Sequence, residues 1–363
     1  MLKHLDDPGH HELPPDFRDR VRRRGASLRR RRRLGGVVAL SLVLVVAAAA
    51  GLYARAYDRV DQVERLTVAG TDSPVTDGSD RTILVVGVDT VTNDPQRLGP
   101  PRTDTILIVR LHDDRASVLS VPRDLAVDPP EAGDGQVRIN TVAASYGYGG
   151  LVQVIGAEFD IGIDHFVEIG MDGFASLVDL VGGIELNFVH PTRDLRSGLH
   201  LDAGCQRLDG DQALALARAR TPQQLRDGRW RTDPRSDLGR IDRQPTLLTS
   251  GLQALARTRP DPISADRLAG WLADHAAVDD NLDNKNLVAL ARTVLSLAPE
   301  DFSFTTVTVE DHVLPDGAAV LRLAEPAEDT VARWTTGAPA EVAGPGENFP
   351  RDVEVSVSPC DAK

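Results

Sequence analysis

The sequence is poor in aromatic residues, in lysine and in cysteine. Phe, Trp and Tyr make up only 4% of the 363 residues, so the core must be built mainly from Val, Leu, Ile and Ala. Lysine occurs only at positions 3, 285 and 363, and the positive charge is therefore almost all arginine. The net charge is −13. This acidic balance argues against a general nucleic-acid-binding protein, which needs a basic face.

Several common catalytic signatures are also absent. The chain has no GxxxxGK(S/T) phosphate-binding loop, no HExxH zinc motif, no GxSxG nucleophile motif and no CxxC pair. These absences exclude the enzyme classes that those motifs define. Any catalytic chemistry must therefore come from other polar residues.

One long uncharged segment lies near the N-terminus. Residues 34–54 contain no charged side chain, and five consecutive arginines, residues 29–33, come directly before them. A helix of this length spans about 30 Å, the thickness of a bilayer core. The positive-inside rule then places the basic residues 1–33 in the cytoplasm and the rest of the chain outside the cell membrane. We expect a single-pass membrane anchor.

A cleaved signal peptide is the alternative for this segment, because the small residues 47–50 resemble a cleavage region. The apolar stretch is longer than the usual signal core of about 7–15 residues, which favours the anchor. The charge distribution agrees with a surface-attached protein. Residues 1–33 carry a net charge of +6, which leaves −19 for the remainder.

The two cysteines, Cys205 and Cys360, both follow the predicted anchor. Their number and their compartment suit one disulfide, although two unrelated thiols would give the same composition. A bond between them would close a long loop, which the chain-entropy model values at roughly 4–5 kcal/mol.

The pattern of apolar residues predicts a mixture of strands and helices without strict βαβ alternation. Residues 81–89, 103–111 and 115–121 are typical of strands, and helices are expected at 139–147 and 151–159, separated by Gly149-Gly150. We expect an α/β fold, an α-β-α layered domain with a central mixed sheet. The expected division is a stem at 55–80, a core at 81–260 with a polar loop at 221–236, and C-terminal helices, a strand and a tail at 261–363 that pack on the core.

Three distant segments place arginine near aspartate at the ends of these elements. Arg102 and Asp104 flank the start of the second strand and are expected to share one face of it. The other two segments contain Arg123-Asp124 and the run Arg218, Arg220, Asp237, Arg240 and Gln244. Arginine binds phosphate oxygens bidentately, and aspartate offers hard oxygens to a divalent cation. Each segment alone is also explained by surface ion pairs or by helix-end charges.

Taken together, these segments resemble the LytR-CpsA-Psr family of cell-envelope enzymes, in its actinobacterial form. The matching stretches cover residues 81 to about 260, and they are ILVVGVD (83–89), RTDTILIV (102–109), SVPRD (120–124), RIN (138–140), YGYGG (146–150), the segment 163–187, LDGDQALALARAR (208–220) and DLGRIDRQ (237–244). The resemblance implies transfer of a glycopolymer from a polyprenyl-diphosphate carrier to a peptidoglycan hydroxyl, outside the membrane. A phosphodiester link would result.

The resemblance also implies roles for individual residues. Asp89 and Asp104 would bind Mg²⁺ or Mn²⁺. The diphosphate would be held by the arginines, with support from two neighbours; this set is Arg102, Arg123, Arg218, Arg220, Arg240, Asp237 and Gln244. Further substrate contacts would come from Asn140, Phe174 and Val178, the last two on an apolar helix that would line a pocket for the polyprenyl tail.

Two other functions remain open from the sequence. The same site would serve a polyprenyl-diphosphate phosphatase that uses water as the acceptor. A non-catalytic envelope protein of the transcriptional-attenuator type is the other alternative. The acceptor hydroxyl, the glycopolymer and the general base are not specified by the sequence.

Overall fold

The computed structural model describes most of the chain after residue 54. The described residues are 54–71, 80–88, 102–131, 135–233, 246–247, 250–251, 254–255, 257, 262–337 and 357–360. The described residues from 55 onwards form one compact unit. No helix among the described residues has the length and apolar character needed to cross a membrane. The predicted anchor, residues 34–54, lies outside the described residues except for Ala54.

The described part contains eighteen strands. They are β1 Glu64–Leu66, β2 Arg81–Val88, β3 Thr103–His112, β4 Arg115–Val121, β5 Ala126–Val127, β6 Val137–Arg138, β7 His165–Gly170, β8 Ile184–Phe188, β9 Thr192–Asp194, β10 Leu199–Leu201, β11 Gly204–Leu208, β12 Gln223–Arg226, β13 Arg229–Thr232, β14 Ala276–Asp279, β15 Phe302–Thr306, β16 Val309–Val313, β17 Ala319–Leu323 and β18 Val357–Pro359.

Helices lie between some of these strands. They are α1 at residues 54–60, α2 Ile139–Phe159, α3 Met171–Leu180, α4 Gly210–Arg218, α5 Pro262–His275, α6 Asn284–Ser296 and α7 Ala327–Thr336, with a 3₁₀ turn at Pro299–Asp301. Residues 246–247, 250–251 and 254–255 are also helical.

A seven-stranded mixed sheet forms the centre of the fold. Its strand order is β1-β14-β7-β2-β3-β4-β15. Strands β2, β3 and β4 are antiparallel neighbours, whereas β7 runs parallel to β2, and β15 runs parallel to β4. The expectation of a central mixed sheet is confirmed.

Both faces of this sheet are covered by helices. On one face Leu84, Val86 and Ile108 pack against α2 and against Trp334 of α7. On the other face Ile83 packs against Leu297, which follows α6. Successive side chains of a strand point to opposite faces, so the uninterrupted apolar run of β2 fills both layers at once. The predicted α-β-α layering is therefore confirmed.

The expected division of the chain into stem, core and C-terminal region does not follow the sheet. β1 comes from the predicted stem, and β14 and β15 come from the predicted C-terminal region, yet all three are strands of the central sheet. The indole Nε1–H of Trp334 donates to the carbonyl oxygen of Ser117 in β4 at 2.9 Å. The stem prediction is wrong for residues 64–66. The sheet needs edge strands that are remote in sequence, and short strands such as β1 give little periodic signal.

Two local predictions also need correction. The break in α2 is at Gly147, whose φ of 71° is a left-handed value, and not at Gly149-Gly150. The predicted polar loop at 221–236 contains the hairpin β12–β13, in which Asp227 and Gly228 both have positive φ. An Asp-Gly pair is a strong hairpin signal, because both residues tolerate the left-handed conformation that the turn requires. That signal was present in the sequence.

The predicted disulfide between Cys205 and Cys360 is present in the structure. Cys205 lies in β11, and Cys360 directly follows β18. Both strands pair with β8 in a three-stranded sheet of order β11-β8-β18. The bond joins residues 155 positions apart in the sequence and attaches the C-terminal strand to the body of the domain.

We expect the double variant Cys205→Ser, Cys360→Ser to be less stable by roughly 2–5 kcal/mol, because removal of the cross-link restores conformational freedom to the unfolded chain. Denaturant unfolding of the oxidised wild type and of the variant measures this difference. A matched control is the wild type in reductant, which should unfold at the same midpoint as the variant. Equal stability of the variant and the oxidised wild type would contradict the expectation.

An ion pair between Glu325, which precedes α7, and Arg333, in the last turn of α7, makes stability depend on pH. Arg333 donates to both carboxylate oxygens of Glu325, one of them at 2.9 Å, and the Thr330 hydroxyl donates at 2.8 Å. The hydrogen bond from Arg333 is the main cause that lowers the pKa of Glu325 to about 2. A lowered pKa means that the ionised form stabilises the fold. That contribution is complete above pH 4.5 and is lost as the pH falls towards 2.

We therefore expect Glu325→Gln to lower Tm by roughly 2 °C at pH 7. The difference in Tm between the variant and the wild type should narrow below pH 4.5. Glu310→Gln is the control, because it breaks the more exposed Glu310–Arg322 pair and should change Tm less. Thermal melts between pH 7 and pH 3 measure both effects. A gap that is independent of pH would show that the charge of Glu325 is not the cause.

Candidate active site

A cavity of about 820 Å³ lies between the central sheet and the helices α3 and α4. Its wall includes the C-terminal ends of β2 and β7, where Val88 and Gly170 lie, and the start of β3. The C-terminal end of α4 and the turn between β9 and β10 complete the wall. Most of these segments are far apart in the sequence, and the sheet register brings them together.

A β-bulge places Asp104 in the wall of this cavity. Gly87 pairs with Thr105 and Val88 pairs with Thr103, so Asp104 is an extra residue on β3. Thr103 is fully buried, whereas the neighbours Asp104 and Thr105 both line the cavity. A regular strand would point those two neighbours to opposite faces, and the bulge removes this restriction.

The close contact of β2 and β3 at this bulge requires glycine at position 87. A Cβ atom built on Gly87 would lie 2.9 Å from Cβ of Thr105, closer than side chains normally pack. Glycine lets β2 and β3 approach at the bulge, and Gly87 itself lines the cavity. The sequence Gly87-Val88 at the end of a strand is thereby explained by packing.

Arg123 lies outside the cavity wall and donates a hydrogen bond to the Asp104 carboxylate. Its Nη1 donates to Oδ1 of Asp104 at 2.6 Å, and its Nε lies 3.4 Å from Oδ2 of Asp124. The Arg123 side chain is 12% exposed, and that of Asp104 is 32% exposed. Arg123 is not among the residues that line the cavity, so it contacts the site through Asp104. A charge-assisted bond at this distance fixes the carboxylate orientation.

Helix α4 delivers two arginines to the cavity. It begins with a capping box in which Asp209 and Gln212 satisfy each other's backbone N–H groups. It approaches α3 closely at Gly210, whose N–H donates to Oδ1 of Asp179 at 2.7 Å. The helix ends in the extended residue Ala219, which is fully buried. Arg218 and Arg220 flank this buried residue, and both line the cavity.

The buried carboxylate of Asp194 connects two parts of the cavity wall. Its Oδ1 accepts from the N–H groups of Arg196 and Ser197 at 2.8 and 3.2 Å, and its Oδ2 accepts from the N–H of Thr221 at 2.8 Å. Arg196 and Ser197 line the cavity, and Thr221 directly follows Arg220. Asp194 is fully buried. One side chain therefore positions a third arginine beside Arg218 and Arg220.

Three residues of this region, Arg196, Ser197 and Asp194, were not predicted from the sequence. Asp194 is followed two positions later by the residue whose N–H it accepts, as in an Asx turn. The turn signal Asp-x-x-Ser-Gly at 194–198 was present in the sequence, but nothing local shows that it faces the cavity. Asp211, in the first turn of α4, also lines the wall and was not predicted.

The polar wall changes to an apolar one towards the interior of the sheet. Asp104 and Thr105 lie at the start of β3, and Leu107 pairs with Val85 two residues further along. Phe174 of α3 lines the cavity as predicted. Val178 does not, because it is 2% exposed in the core cluster that contains Ile184 and Leu186. Its predicted contact with a substrate is not supported by this position.

Two other predicted residues lie outside the cavity wall. Arg102 is exposed and precedes β3, which begins at Thr103, so the expectation that it shares a strand face with Asp104 is wrong. Asn140 is 7% exposed, and its N–H donates to the carbonyl oxygen of Arg123 at 3.1 Å. Asn140 thus lies behind the Arg123 turn. Four predicted residues, Asp89, Asp237, Arg240 and Gln244, lie outside the described residues.

The donor set of the described wall fits one carboxylate ligand of a divalent cation. Oδ1 of Asp104 accepts from Arg123, while Oδ2 accepts no hydrogen bond from any residue in the described ranges. No group of three or more acidic, His or Cys side chains that could hold a metal occurs among those residues. Mg²⁺ in phosphoryl-transfer sites is commonly held by one or two carboxylates together with substrate phosphates, so one carboxylate is compatible with it.

Comparison with known proteins identifies relatives of this chain. It is 38% identical over 124 residues to the probable cell wall biosynthesis protein LcpB of Corynebacterium glutamicum, a match that covers 34% of this chain and 30% of that protein. It is 30% identical over 238 residues to the polyisoprenyl-teichoic acid–peptidoglycan teichoic acid transferase TagU of Oceanobacillus iheyensis, covering 63% and 67%. The chain spans less than half the length of the corynebacterial relatives it matches.

The fold and a family model agree with these relatives. A solved structure described as a LytR-Csp2A-Psr enzyme from Actinomyces oris aligns with a TM-score of 0.60 at 28% identity, over 75% of this chain and 95% of that one. The family model described as the LytR_cpsA_psr family matches residues 43–335, which is most of the chain. The resemblance that the sequence motifs indicated is confirmed, and the protein belongs to the LytR-CpsA-Psr family.

Proposed function

We propose that this protein transfers a glycopolymer from a polyprenyl-diphosphate carrier to a hydroxyl group of peptidoglycan and forms a phosphodiester link. The observation that carries the proposal is a single cavity that joins an arginine- and aspartate-bearing mouth to an aliphatic interior. A lipid diphosphate likewise joins a charged diphosphate to an apolar chain. The name of the TagU relative, a polyisoprenyl-teichoic acid–peptidoglycan teichoic acid transferase, supports the same reaction class.

The aliphatic part of the cavity suits a polyprenyl chain. Val85, Leu107 and Phe174 line it, together with Leu214 and Leu247. A volume of about 820 Å³ lies within the range of about 300–1,000 Å³ that is usual for ligand pockets. The uncharged segment 34–54 would hold the domain at the membrane surface where such lipids reside. A single-pass anchor with an external catalytic domain is part of this proposal.

The diphosphate would be held by Arg196, Arg218 and Arg220. Their guanidinium groups each present a planar fork of donors that matches phosphate oxygens. Arg218 and Arg220 are exposed side chains at the end of α4, so they can reorganise around the ligand without disturbing the core. Arg123 acts differently, because it is mostly buried and orients Asp104.

Asp104 would hold Mg²⁺ or Mn²⁺ together with oxygens of the diphosphate, and Asp89 is the predicted second carboxylate. When bound, the cation would neutralise negative charge on the transferring phosphoryl group. The contribution of the protein is to fix the Asp104 carboxylate by the bulge and by Arg123. Positioning and electrostatic stabilisation dominate in phosphoryl transfer, since little covalent chemistry is asked of the protein.

In the reaction, the acceptor hydroxyl oxygen forms a bond to the phosphorus nearer the glycan. The bond from that phosphorus to the bridging oxygen breaks, and the lipid monophosphate leaves. The hydroxyl proton passes to a base. Asp124 does not line the cavity and lies beside Arg123 and Arg138, so we do not assign it this role. Asp104 is engaged by Arg123, and Asp211 is the other acidic side chain among the described residues of the wall.

The experiment that tests the proposal uses purified full-length protein in detergent with a short polyprenyl-diphosphate-linked saccharide, a soluble peptidoglycan fragment and Mg²⁺. Products are identified by mass spectrometry. A conjugate linked by a phosphodiester supports the transferase. Lipid monophosphate and glycan phosphate without a conjugate would support the phosphatase instead. Binding of the lipid without turnover would support a non-catalytic envelope protein.

We expect Arg220→Gln to lower kcat/KM by about 100-fold, because one charged donor to the transferring group is lost. The melting temperature should stay unchanged, since the side chain is exposed. Arg115→Gln is the control, an exposed arginine at the far end of β4 that carries the same change in charge. Initial rates and melts are measured in parallel. Normal activity of Arg220→Gln would remove this residue from the site.

We expect Asp104→Asn to abolish transfer and to raise the Mg²⁺ concentration needed for any residual activity, because an amide is a poorer ligand for a hard cation. Titration of Mg²⁺ against initial rate measures the effect. Asp114→Asn, in the exposed turn between β3 and β4, is the matched control and should behave as the wild type. An unaltered Mg²⁺ requirement in Asp104→Asn would show that this carboxylate does not hold the cation.

A further inference from the structure

The four-stranded sheet of order β10-β9-β12-β13 has one face whose residues are all half-buried or exposed. Its register aligns His200 with Arg193, Arg193 with Gln223 and Gln223 with Thr232. Leu225 and Trp230 are paired two residues further along the hairpin, so they lie on the same face. We call this face the platform, and it consists of His200, Arg193, Gln223, Thr232, Leu225 and Trp230.

The opposite face of the sheet is part of the core near β9 and β10. Leu199 and Leu201 are 3% and 4% exposed and belong to the cluster that also contains Val178 and Ile184. Thr192 and Gln224 on that face are also buried. The platform residues, by contrast, are all half-buried or exposed. The sheet is therefore anchored on one side and available to a ligand on the other.

Arg193 is held ready for a ligand at the centre of the platform. Its guanidinium carbon lies 4.0 Å from the centre of the Trp230 ring. Its Nε donates to Oε1 of Gln223 at 2.9 Å, and Nε2 of Gln223 donates to the Thr232 hydroxyl at 3.1 Å. Its two terminal nitrogens donate to no residue within the described ranges. A side chain ordered in advance loses little further entropy on binding, and this fork matches a carboxylate.

The platform is continuous with the candidate active site. Strand β9 leads directly into the turn that contributes Arg196 and Ser197 to the cavity wall. Strand β12 begins three residues after Arg220, and Asp194 ties the two segments together through the N–H of Thr221. At about 3.3 Å per residue, Gln223 lies within about 10 Å of Arg220. A chain-like ligand on the platform can therefore extend into the cavity mouth.

The chemistry of the platform selects an anionic ligand with apolar surfaces. No acidic side chain lies on it, and Arg193 and His200 are its charged or titratable members. Residues 34–363 have a net charge of −19, so this cationic face stands out from its surroundings. Trp230 and Leu225 are half-buried and offer apolar surface to the faces of sugar rings. A glycan strand that carries carboxylates combines these properties.

We propose that the platform binds the acceptor, a carboxylate-bearing glycan strand of peptidoglycan, with Arg193 as the carboxylate receptor. This inference rests on the proposed transferase function and names its acceptor site. The sheet directs the strand towards Arg196 and Arg220, where its hydroxyl meets the diphosphate. A phosphate of the donor glycopolymer shares the same anionic chemistry, and the experiment separates the two sources.

The test measures initial rates of purified full-length protein in detergent, with donor and soluble peptidoglycan fragment varied separately. We expect Arg193→Gln to raise KM for the fragment about tenfold, as for loss of one charge-assisted contact. The kcat and the donor KM should stay within about twofold. Trp230→Leu removes the support of the guanidinium group and should act in the same direction. Arg193→Lys keeps the charge without the fork and should give an intermediate KM.

Arg229→Gln is the matched control. Arg229 lies on the same hairpin, is exposed and points to the other face of the sheet, and the change removes the same charge. We expect its acceptor KM to equal that of the wild type. An equal rise in Arg229→Gln and Arg193→Gln would show a general charge effect and would overturn the assignment. A change confined to the donor KM would assign Arg193 to the donor instead.

Co-sedimentation with insoluble peptidoglycan, without donor, tests the platform independently of catalysis. We expect the wild type and Arg229→Gln to sediment and Arg193→Gln to remain in solution. Binding that depends on Arg193 in a protein that transfers nothing would uphold the platform and overturn the transferase. Transfer by Arg193→Gln with the acceptor KM of the wild type would uphold the transferase and overturn the platform. If Arg193→Gln fails to show a cooperative melt, Trp230→Leu and Arg193→Lys decide by the same criteria.

Discussion

The functional half of the molecule depends on the hydrogen bonds that the carboxyl group of Asp194 accepts. A fully buried carboxyl group is costly unless hydrogen bonds compensate it, and three backbone N–H groups do so here. Those groups belong to the β9–β10 turn and to the segment after α4. Satisfying one carboxylate therefore fixes the relative position of Arg196 and Arg220. It also fixes where the four-stranded sheet leaves the cavity, so the arginines of the cavity wall and the platform share one support.

The central sheet supplies the other half of the site through an irregularity. A regular β2–β3 pair would point either Asp104 or Thr105 away from the cavity, and the bulge at Gly87 and Val88 allows both to face it. Arg123 then orients Asp104 from a position where water has little access. Low exposure strengthens this pair, because fewer water molecules screen it. One side of the cavity therefore carries the Asp104 carboxylate, which Arg123 orients. The other side carries the more exposed arginines at the end of α4.

The sequence pattern indicated much of the fold for clear physical reasons. Residues 83–88 form an uninterrupted apolar run of strand length, and the capping residues Asp209 and Gln212 stand where α4 begins. The family motifs also placed Asp104, Arg218, Arg220 and Phe174, all of which line one cavity. Arg102, Arg123, Asn140 and Val178 do not line it. Their motifs lie next to the site, but the sequence of a motif does not indicate which of its side chains face the cavity.

What the sequence by itself determined is local: the lengths of the strands and helices, the turn at Asp227-Gly228, the family and the chemical types available to the site. These depend on alternation, capping and backbone preferences within a few residues. The tertiary structure alone decided that β1, β14 and β15 join one sheet, that a bulge turns Asp104 inward, and that Asp194, Arg196 and Arg193 belong to the functional region. These arrangements depend on hydrogen-bond register and packing between segments far apart in the chain, and no short stretch of sequence encodes such distances.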